Sequence, residues 1–143
     1  RQDLVNEFSS HGRYFNTFGG NPVSCAAGLA VLDVIEEEGL QQNALDVGQH
    51  LTNGLWNLAE SHECIGDVRG SGLFLAVELV SSRNERTPAT ELTARVVNDL
   101  RQHGVLTGSI GPEDNILKLR SPLVLSKQDV DLFLNILDDV LSN

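Results

Sequence analysis

Residues 73–80 of this chain read Leu-Phe-Leu-Ala-Val-Glu-Leu-Val, and the rest of the sequence is interpreted around them. Leu73, Leu75, Val77 and Leu79 occupy every second position, so they share one face of an extended chain. The residues between them share the other face. A period of two that is sustained over eight residues is typical of a β-strand. We interpret this segment as a central strand of a sheet.

Four segments around this strand have the end signals and the periodicity of helices. Pro22 suits a first helical turn, where its missing N–H costs nothing, and Asn21 can cap that turn. Ser126, followed by Asp129 three residues later, resembles a capping box. We predict helices from Asn21-Pro22 to residues 36–39, from Leu40 to about Ser61, from Thr87-Pro88 to about His103, and from Ser126 onward.

Two more strands are predicted, at residues 105–110 and 116–120, with a Gly-Pro turn between them. Residues 1–22 contain several glycines, so we predict that they are extended or irregular. Three or so strands covered by helices define an α+β domain of two layers.

The composition excludes several classes of protein. With 143 residues and a net charge of −10, the chain fits one soluble, acidic domain and does not suit nucleic acid or an anionic membrane surface. We expect no signal peptide from its first residues, and the absence of an initial Met suggests a fragment, a processed form or a trimmed chain. Cys25 and Cys64 are too few for a disulfide framework, so we expect them to be reduced and buried, as suits the cytoplasm.

No group of residues in the sequence forms a recognisable catalytic or metal site. The four histidines lack the HExxH and HxxxH spacings of zinc sites, so we expect no metal. Residues 70–72, Gly-Ser-Gly, precede a strand and not a helix, which is typical of a bend and not of a phosphate loop.

One segment is compatible with anion binding. Residues 17–22, Thr-Phe-Gly-Gly-Asn-Pro, end at a predicted helix start, so a hydroxyl and backbone N–H groups there could hold an anion. A turn followed by a helix cap explains the same residues more simply. The physical chemistry of the segment leaves both interpretations open.

The sequence resembles class III aminotransferases in three places. Residues 14–26 are similar to the family segment that joins the catalytic-lysine region to the small domain. Residues 69–74, with Glu78-Leu79, resemble the next marker of the family, and Pro122-Leu123 before the last helix resembles the third. The order and spacing of the markers agree over nearly the whole chain.

The resemblance implies the small C-terminal domain of a fold type I enzyme that uses pyridoxal 5'-phosphate (PLP). Residues 1–22 would be an interdomain segment with the cofactor-phosphate motif, and residues 23–143 a domain with a small, mostly antiparallel sheet of three to four strands. Such enzymes are usually homodimers, and Thr17 would donate its hydroxyl to the PLP phosphate of the other subunit. The catalytic lysine of the family lies further upstream, and no lysine precedes Thr17 here. The resemblance therefore places no catalytic residue in this chain.

Residues 86–90 and 111–118 are most similar to the phospho-lyase branch of the family, which acts on phosphoethanolamine or phosphohydroxylysine. The resemblance aligns Lys118 with an Arg that binds the substrate carboxylate in many aminotransferases, and Arg120 takes that place if the strand slips. A lysine suits a tetrahedral phosphate at least as well as a planar carboxylate. Alternatively, both cations pair with carboxylates of this acidic domain.

Two functions follow as hypotheses. In the first, the parent enzyme processes a primary amine by transamination or by elimination of phosphate from a phospho-amine, while this fragment alone is inactive. In the second, the domain is a non-catalytic module for packing or dimerisation inside a longer protein. Only the first hypothesis requires Thr17 or Lys118.

Overall fold

A computed structural model describes residues 1–143 as five helices and five strands. In chain order the elements are α1 (Gln2–His11), α2 (Pro22–Glu37), α3 (Leu40–Ser61), β1 (Ile65–Ser71), β2 (Phe74–Ser82), β3 (Thr87–Pro88), α4 (Thr90–Gln102), β4 (Gly108–Ile110), β5 (Ile116–Arg120) and α5 (Lys127–Ser142). They form two compact units, Arg1–Glu38 and Gly39–Asn143. The α+β class and the mostly antiparallel sheet confirm the prediction. The division at residue 22 into an interdomain segment and a domain stays a prediction.

The first unit consists of α1, α2 and the segment between them. The Asn21 side chain accepts a hydrogen bond from the Ser24 amide at 2.9 Å, and Pro22 occupies the first turn, so the predicted start of α2 is confirmed. The prediction of irregular structure before residue 22 is wrong for α1, which ends where Gly12 interrupts it. Neither helix has a buried residue, although α2 is strongly apolar.

The second unit is built on an antiparallel sheet with the strand order β1-β2-β5-β4, and the short β3 pairs with β2. Leu75, Val77 and Leu79 of the central strand β2 are buried, so the predicted alternation is confirmed. The sequence interpretation missed β1, which forms a hairpin with β2. Its turn contains Gly72 in the left-handed conformation with a φ of 54°.

The helices α3 and α4 pack on one face of this sheet, α5 packs on both of them, and together they form the core with the sheet. The helical periodicity predicted from Leu40 to about Ser61 is confirmed, because Leu40, Val47, Leu51 and Leu55 form one buried stripe along α3. The opposite face of the sheet carries the residues that alternate with the buried ones. Phe74 on that face is 57% exposed, so this face is open in the chain. The predicted substrate-binding residues Lys118 and Arg120 lie on this open face, because they pair with Ala76 and Phe74 of β2.

Two predicted boundaries are wrong. Residues Thr87–Pro88 form β3 and do not begin a helix, because they pair with the end of β2 and the Ala89 amide extends that ladder by donating to the Leu79 carbonyl. A proline is tolerated in such an edge strand, since it needs no N–H there. The predicted strand at residues 105–110 is reduced to Gly108–Ile110.

The cysteine prediction is partly wrong. Both cysteines are free, but Cys25 is exposed and Cys64 is only partly buried. Burial raises the pKa of the Cys64 thiol above its ordinary value, so this thiol is a weaker nucleophile than an exposed one. None of the five helices combines the length and the apolar character that crossing a bilayer requires.

The start of α5 is the predicted capping box, and it gives a prediction about pH. The Ser126 hydroxyl and then the Ser126 amide donate to the Asp129 carboxylate, at 2.6 and 3.0 Å, and hold the pKa of Asp129 below its ordinary value. Because the pKa of this carboxyl is lower in the folded state than in the unfolded state, its ionised form stabilises the fold at pH values above the unfolded-state pKa of about 4. This stabilisation is lost as the pH falls through the folded-state pKa. We expect urea denaturation to show that wild type exceeds Asp129→Asn in stability at about pH 6 and that this difference shrinks toward about pH 3. A difference that stays constant with pH would contradict the assignment.

Candidate functional site

Thr17 lies in a tight turn that the neighbouring asparagine builds. The Asn16 side-chain oxygen accepts hydrogen bonds from the amides of Phe18 at 3.1 Å and Gly19 at 3.0 Å. This geometry is an Asx-turn, in which the side chain replaces a backbone acceptor. A Cβ on Gly19 would lie 2.5 Å from the Asn16 Nδ2, so a side chain there would displace the Asn16 amide that holds the turn. Thr17 is thereby presented, exposed, at the tip of the turn.

The turn can donate one hydrogen bond from a neutral group to a phosphate, but it does not form a complete phosphate-binding site. The amides of Phe18 and Gly19, which could have bound an anion, are already satisfied by Asn16, and the Ser24 amide is satisfied by Asn21. The exposed Thr17 hydroxyl remains as a donor. A phosphate oxygen can accept one hydrogen bond from it, while the charge of the phosphate must be balanced by groups elsewhere.

Lys118 and Arg120 lie on β5 in the second unit and project from the open face of the sheet. They are two residues apart on the strand and share one face with Ile116. The cross-strand neighbours of Lys118 are the small residues Ala76 and Gly108, and the neighbour of Arg120 is Phe74. Small neighbours leave the lysine side chain room to meet a ligand on this face.

Neither cation forms an ion pair within the chain. The ion pairs of the chain use Arg1, Arg69 and three histidines as cations. The alternative that Lys118 and Arg120 pair with the domain's own carboxylates is therefore wrong. In a chain with a net charge of −10, two unpaired cations on one open face favour the binding of an external anion.

Arg69 pairs with two acids on the same sheet. Its guanidinium contacts the Asp67 carboxylate at 2.7 Å and the Glu78 carboxylate at 2.6 Å, across the β1–β2 hairpin. The hydrogen bond that Arg69 donates to Asp67, and then the one that it donates to Glu78, raises the pKa of Arg69, so the arginine stays charged. Both acids on this part of the face are thus occupied by Arg69 and do not reach Lys118.

Sequence reasoning missed this trio because it missed β1. Asp67 and Arg69 come onto one face with Glu78 only through the hairpin register, in which Asp67 pairs with Glu78 and Arg69 with Ala76. The available signal was Gly70-Ser71-Gly72 directly before an alternating strand, a pattern that predicts a hairpin when an extended segment precedes it. Thr17 belongs to the first unit, whereas Lys118 and Arg120 belong to the second.

The chain matches a protein family over almost its whole length. The sequence profile of the family described as Aminotransferase class-III matches residues 1–141. A Drosophila melanogaster protein, alanine–glyoxylate aminotransferase 2-like, is 52% identical over 134 residues, which are 92% of this chain and 27% of that protein.

Two solved structures share the fold of the chain. One is a phospholyase from Arthrobacter in complex with phosphoethanolamine, with a TM-score of 0.91, 42% identity, and coverage of 99% of this chain and 33% of that one. The other is an amine transaminase from an uncultivated Pseudomonas species in the PLP-bound form, with a TM-score of 0.84, 35% identity, and coverage of 99% and 32%. The chain thus spans about a third of the length of the proteins that it matches.

Proposed function

Because the chain belongs to the class III aminotransferase family, we propose that the intact protein is a PLP enzyme that acts on a primary amine carrying an anionic group. The reaction is transamination or the elimination of phosphate from a phospho-amine. This chain contributes one contact to the cofactor phosphate. It also supplies the cations that receive the substrate anion. The observation that carries the proposal is the unpaired state of Lys118 and Arg120 on the open sheet face.

Thr17 is the proposed cofactor contact of this chain. Its hydroxyl would donate a hydrogen bond to the phosphate of PLP, and the Asx-turn of Asn16 holds it in the exposed position that this contact requires. PLP, when bound, withdraws electrons from the carbon that carries the amine. A neutral donor suits a phosphate whose charge is balanced by other groups. The chain contains no lysine before Thr17, so the proposal assigns it no catalytic residue.

Lys118 and Arg120 are the proposed substrate contacts. Lys118 offers a compact ammonium group with three donors, and Arg120 offers a planar guanidinium group two residues away on the same face. A tetrahedral phosphate can accept from both, whereas a single arginine fork suits a planar carboxylate. The similarity to the Arthrobacter phospholyase supports the phosphate alternative for the substrate.

The proposal predicts a specific kinetic defect in the full-length protein. We expect Lys118→Ala to lower kcat/KM for phosphoethanolamine about 10- to 100-fold, because it removes a charged hydrogen bond to the substrate anion. Arg101→Ala is the matched control, since Arg101 is an exposed cation at the end of α4, and it is expected to leave kcat/KM unchanged. Phosphate release is measured in parallel with amino transfer to a keto acid. Phosphate release without amino transfer identifies the lyase reaction.

Variants of the full-length protein also distinguish the enzyme hypothesis from the hypothesis of a packing module. We expect Thr17→Ala to weaken PLP binding by roughly tenfold, as the loss of one hydrogen bond to an ionised phosphate predicts. If Thr17→Ala and Lys118→Ala both leave PLP affinity and turnover unchanged, the role as a packing or dimerisation module gains support. The apolar, unburied α2 is the observation that favours this second function.

Homodimerisation and a cytoplasmic location belong to the same proposal. Val23, Leu29 and Leu32 of α2 are exposed apolar residues, and a helix that is apolar on all sides is normally covered. Two free cysteines suit a reducing compartment. Light scattering on the full-length protein and cell fractionation test these two statements.

A further inference from the structure

The strand register places Glu78 between two cations on the open face of the sheet. On β2, Ala76 pairs with Arg69 of β1 on one side and with Lys118 of β5 on the other. Glu78 lies two residues further along β2 on the same face, so it is a diagonal neighbour of both cations. Diagonal neighbours in an antiparallel sheet lie roughly 7–8 Å apart, a distance that long side chains can span. The Glu78 carboxylate is therefore within reach of either cation.

In the structure, Glu78 contacts only one of these cations. The Arg69 Nη1 donates to the Glu78 Oε2 at 2.6 Å, and the same nitrogen donates to the Asp67 Oδ2 at 2.7 Å. No ion pair joins Glu78 to Lys118. One guanidinium nitrogen thus holds both carboxylates at the β1–β2 hairpin.

Arg69 also offsets a repulsion between the two acids. Asp67 and Glu78 are directly opposite each other in the β1–β2 ladder. Like charges in directly opposite positions destabilise a sheet. The positive charge of Arg69 lets both carboxylates stay close to the hairpin. Without that charge, repulsion from Asp67 would drive the Glu78 side chain away from β1.

The order of the strands gives the direction of that movement. Because β2 lies between β1 and β5, a Glu78 side chain that leaves β1 on this face turns toward β5. The β5 residue directly opposite Glu78 is Ile116, which carries no charge, and the diagonal neighbour is Lys118. Lys118 has no ion-pair partner of its own. A released Glu78 would therefore pair with Lys118.

We propose that Arg69 is a positioning residue for the substrate anion, because it holds Glu78 at the hairpin and so keeps the Lys118 ammonium group free. This inference rests on the proposed function, in which Lys118 contacts the substrate anion. Glu78 is then an internal anion that competes with the substrate for the same cation. Arg69 itself does not contact the substrate, since it acts through Glu78.

The first test is kinetic and uses the full-length protein with phosphoethanolamine. We expect Arg69→Gln to raise KM roughly three- to tenfold and to change kcat less than about twofold, because it weakens binding of the anion without touching the reacting atoms. The double variant Arg69→Gln/Glu78→Gln is expected to return KM to within about twofold of wild type, because a neutral amide does not compete for Lys118.

A second double variant separates this role from support of the hairpin. Adding Asp67→Asn to Arg69→Gln removes the repulsion within the hairpin but leaves the Glu78 charge beside Lys118. A purely structural role predicts that Asp67→Asn restores KM as well as Glu78→Gln does. The proposal predicts that KM stays raised with Asp67→Asn, and equal rescue by the two would contradict it. Thermal unfolding of each variant shows whether the fold is intact.

A crystal structure of the Arg69→Gln variant tests the geometry independently of turnover. We expect the Glu78 carboxylate to lie within about 4 Å of the Lys118 ammonium group. The inference is wrong if Glu78 stays at the hairpin, or if Arg69→Gln leaves KM unchanged while Lys118→Ala lowers kcat/KM. If Lys118→Ala has no kinetic effect, the proposed function fails, and the crystal structure still decides whether Arg69 keeps Glu78 from Lys118.

Discussion

Replacing Gly48 with alanine is expected to lower the free energy of unfolding of the chain by about 3 kcal/mol. Gly48 is buried in α3, where a Cβ would overlap the backbone carbonyl of Gly72 in the β1–β2 turn. Gly72 itself needs its left-handed φ of 54°, so this turn has little freedom to move away. The helix and the hairpin must therefore separate, and the packing between them is lost. Urea denaturation measures the change.

Gly54→Ala is the matched control on the same helix. A Cβ at Gly54 would also meet a neighbour, but that neighbour is the end of the flexible Leu134 side chain, which can rotate. Alanine favours a helix over glycine by roughly 0.5–1 kcal/mol, which offsets part of the adjustment. We expect Gly54→Ala to stay within about 1 kcal/mol of wild type. If both variants lose the same stability, the close contact of α3 with the turn is not what requires Gly48.

Leu137→Ala is expected to cost about 2–5 kcal/mol of unfolding free energy. Leu137 lies on α5 with its side chain 0% exposed, inside the core that α3, α4, α5 and the sheet share. Truncation removes buried methyl groups and leaves a cavity that the surrounding elements fill only in part. Because α5 packs on both α3 and α4, the loss affects the whole second unit.

Leu132→Ala on the same helix is the control for this change. Leu132 is 60% exposed, so the same truncation removes few buried contacts, and we expect a change within about 0.5 kcal/mol. Thermal or urea unfolding of the two variants side by side checks the difference. Equal destabilisation by both would mean that burial of Leu137 in the core is not the cause of its effect.

The fold was predictable where local patterns and tertiary packing agree. The alternation of residues 73–80, the stripe on α3 and the capping box at Ser126 each have a local cause, and the structure confirms all three. The predictions failed where pairing overrides local signals. Thr87-Pro88 has the composition of a helix start, but its pairing with β2 places it in the sheet.

In the candidate site, too, some features follow from the sequence and others depend on strand pairing. Thr17, Lys118 and Arg120 were named from a resemblance, and their roles in the intact protein stay predictions. The sequence could not show that Arg69 occupies Asp67 and Glu78, because these residues meet only through the register of a hairpin. It also could not show that β4 pairs with β5 only from Gly108 onward.

The sequence by itself determined the family of this protein, the position of its central strand and the caps of two helices, α2 and α5. These properties depend on residue identity at fixed short spacings, which a linear pattern records. Only the tertiary structure decided which face of the sheet stays open, which cations remain unpaired and where the strand edge ends. Those properties depend on cross-strand neighbours that are distant in the chain, and a one-residue change of register exchanges the two faces.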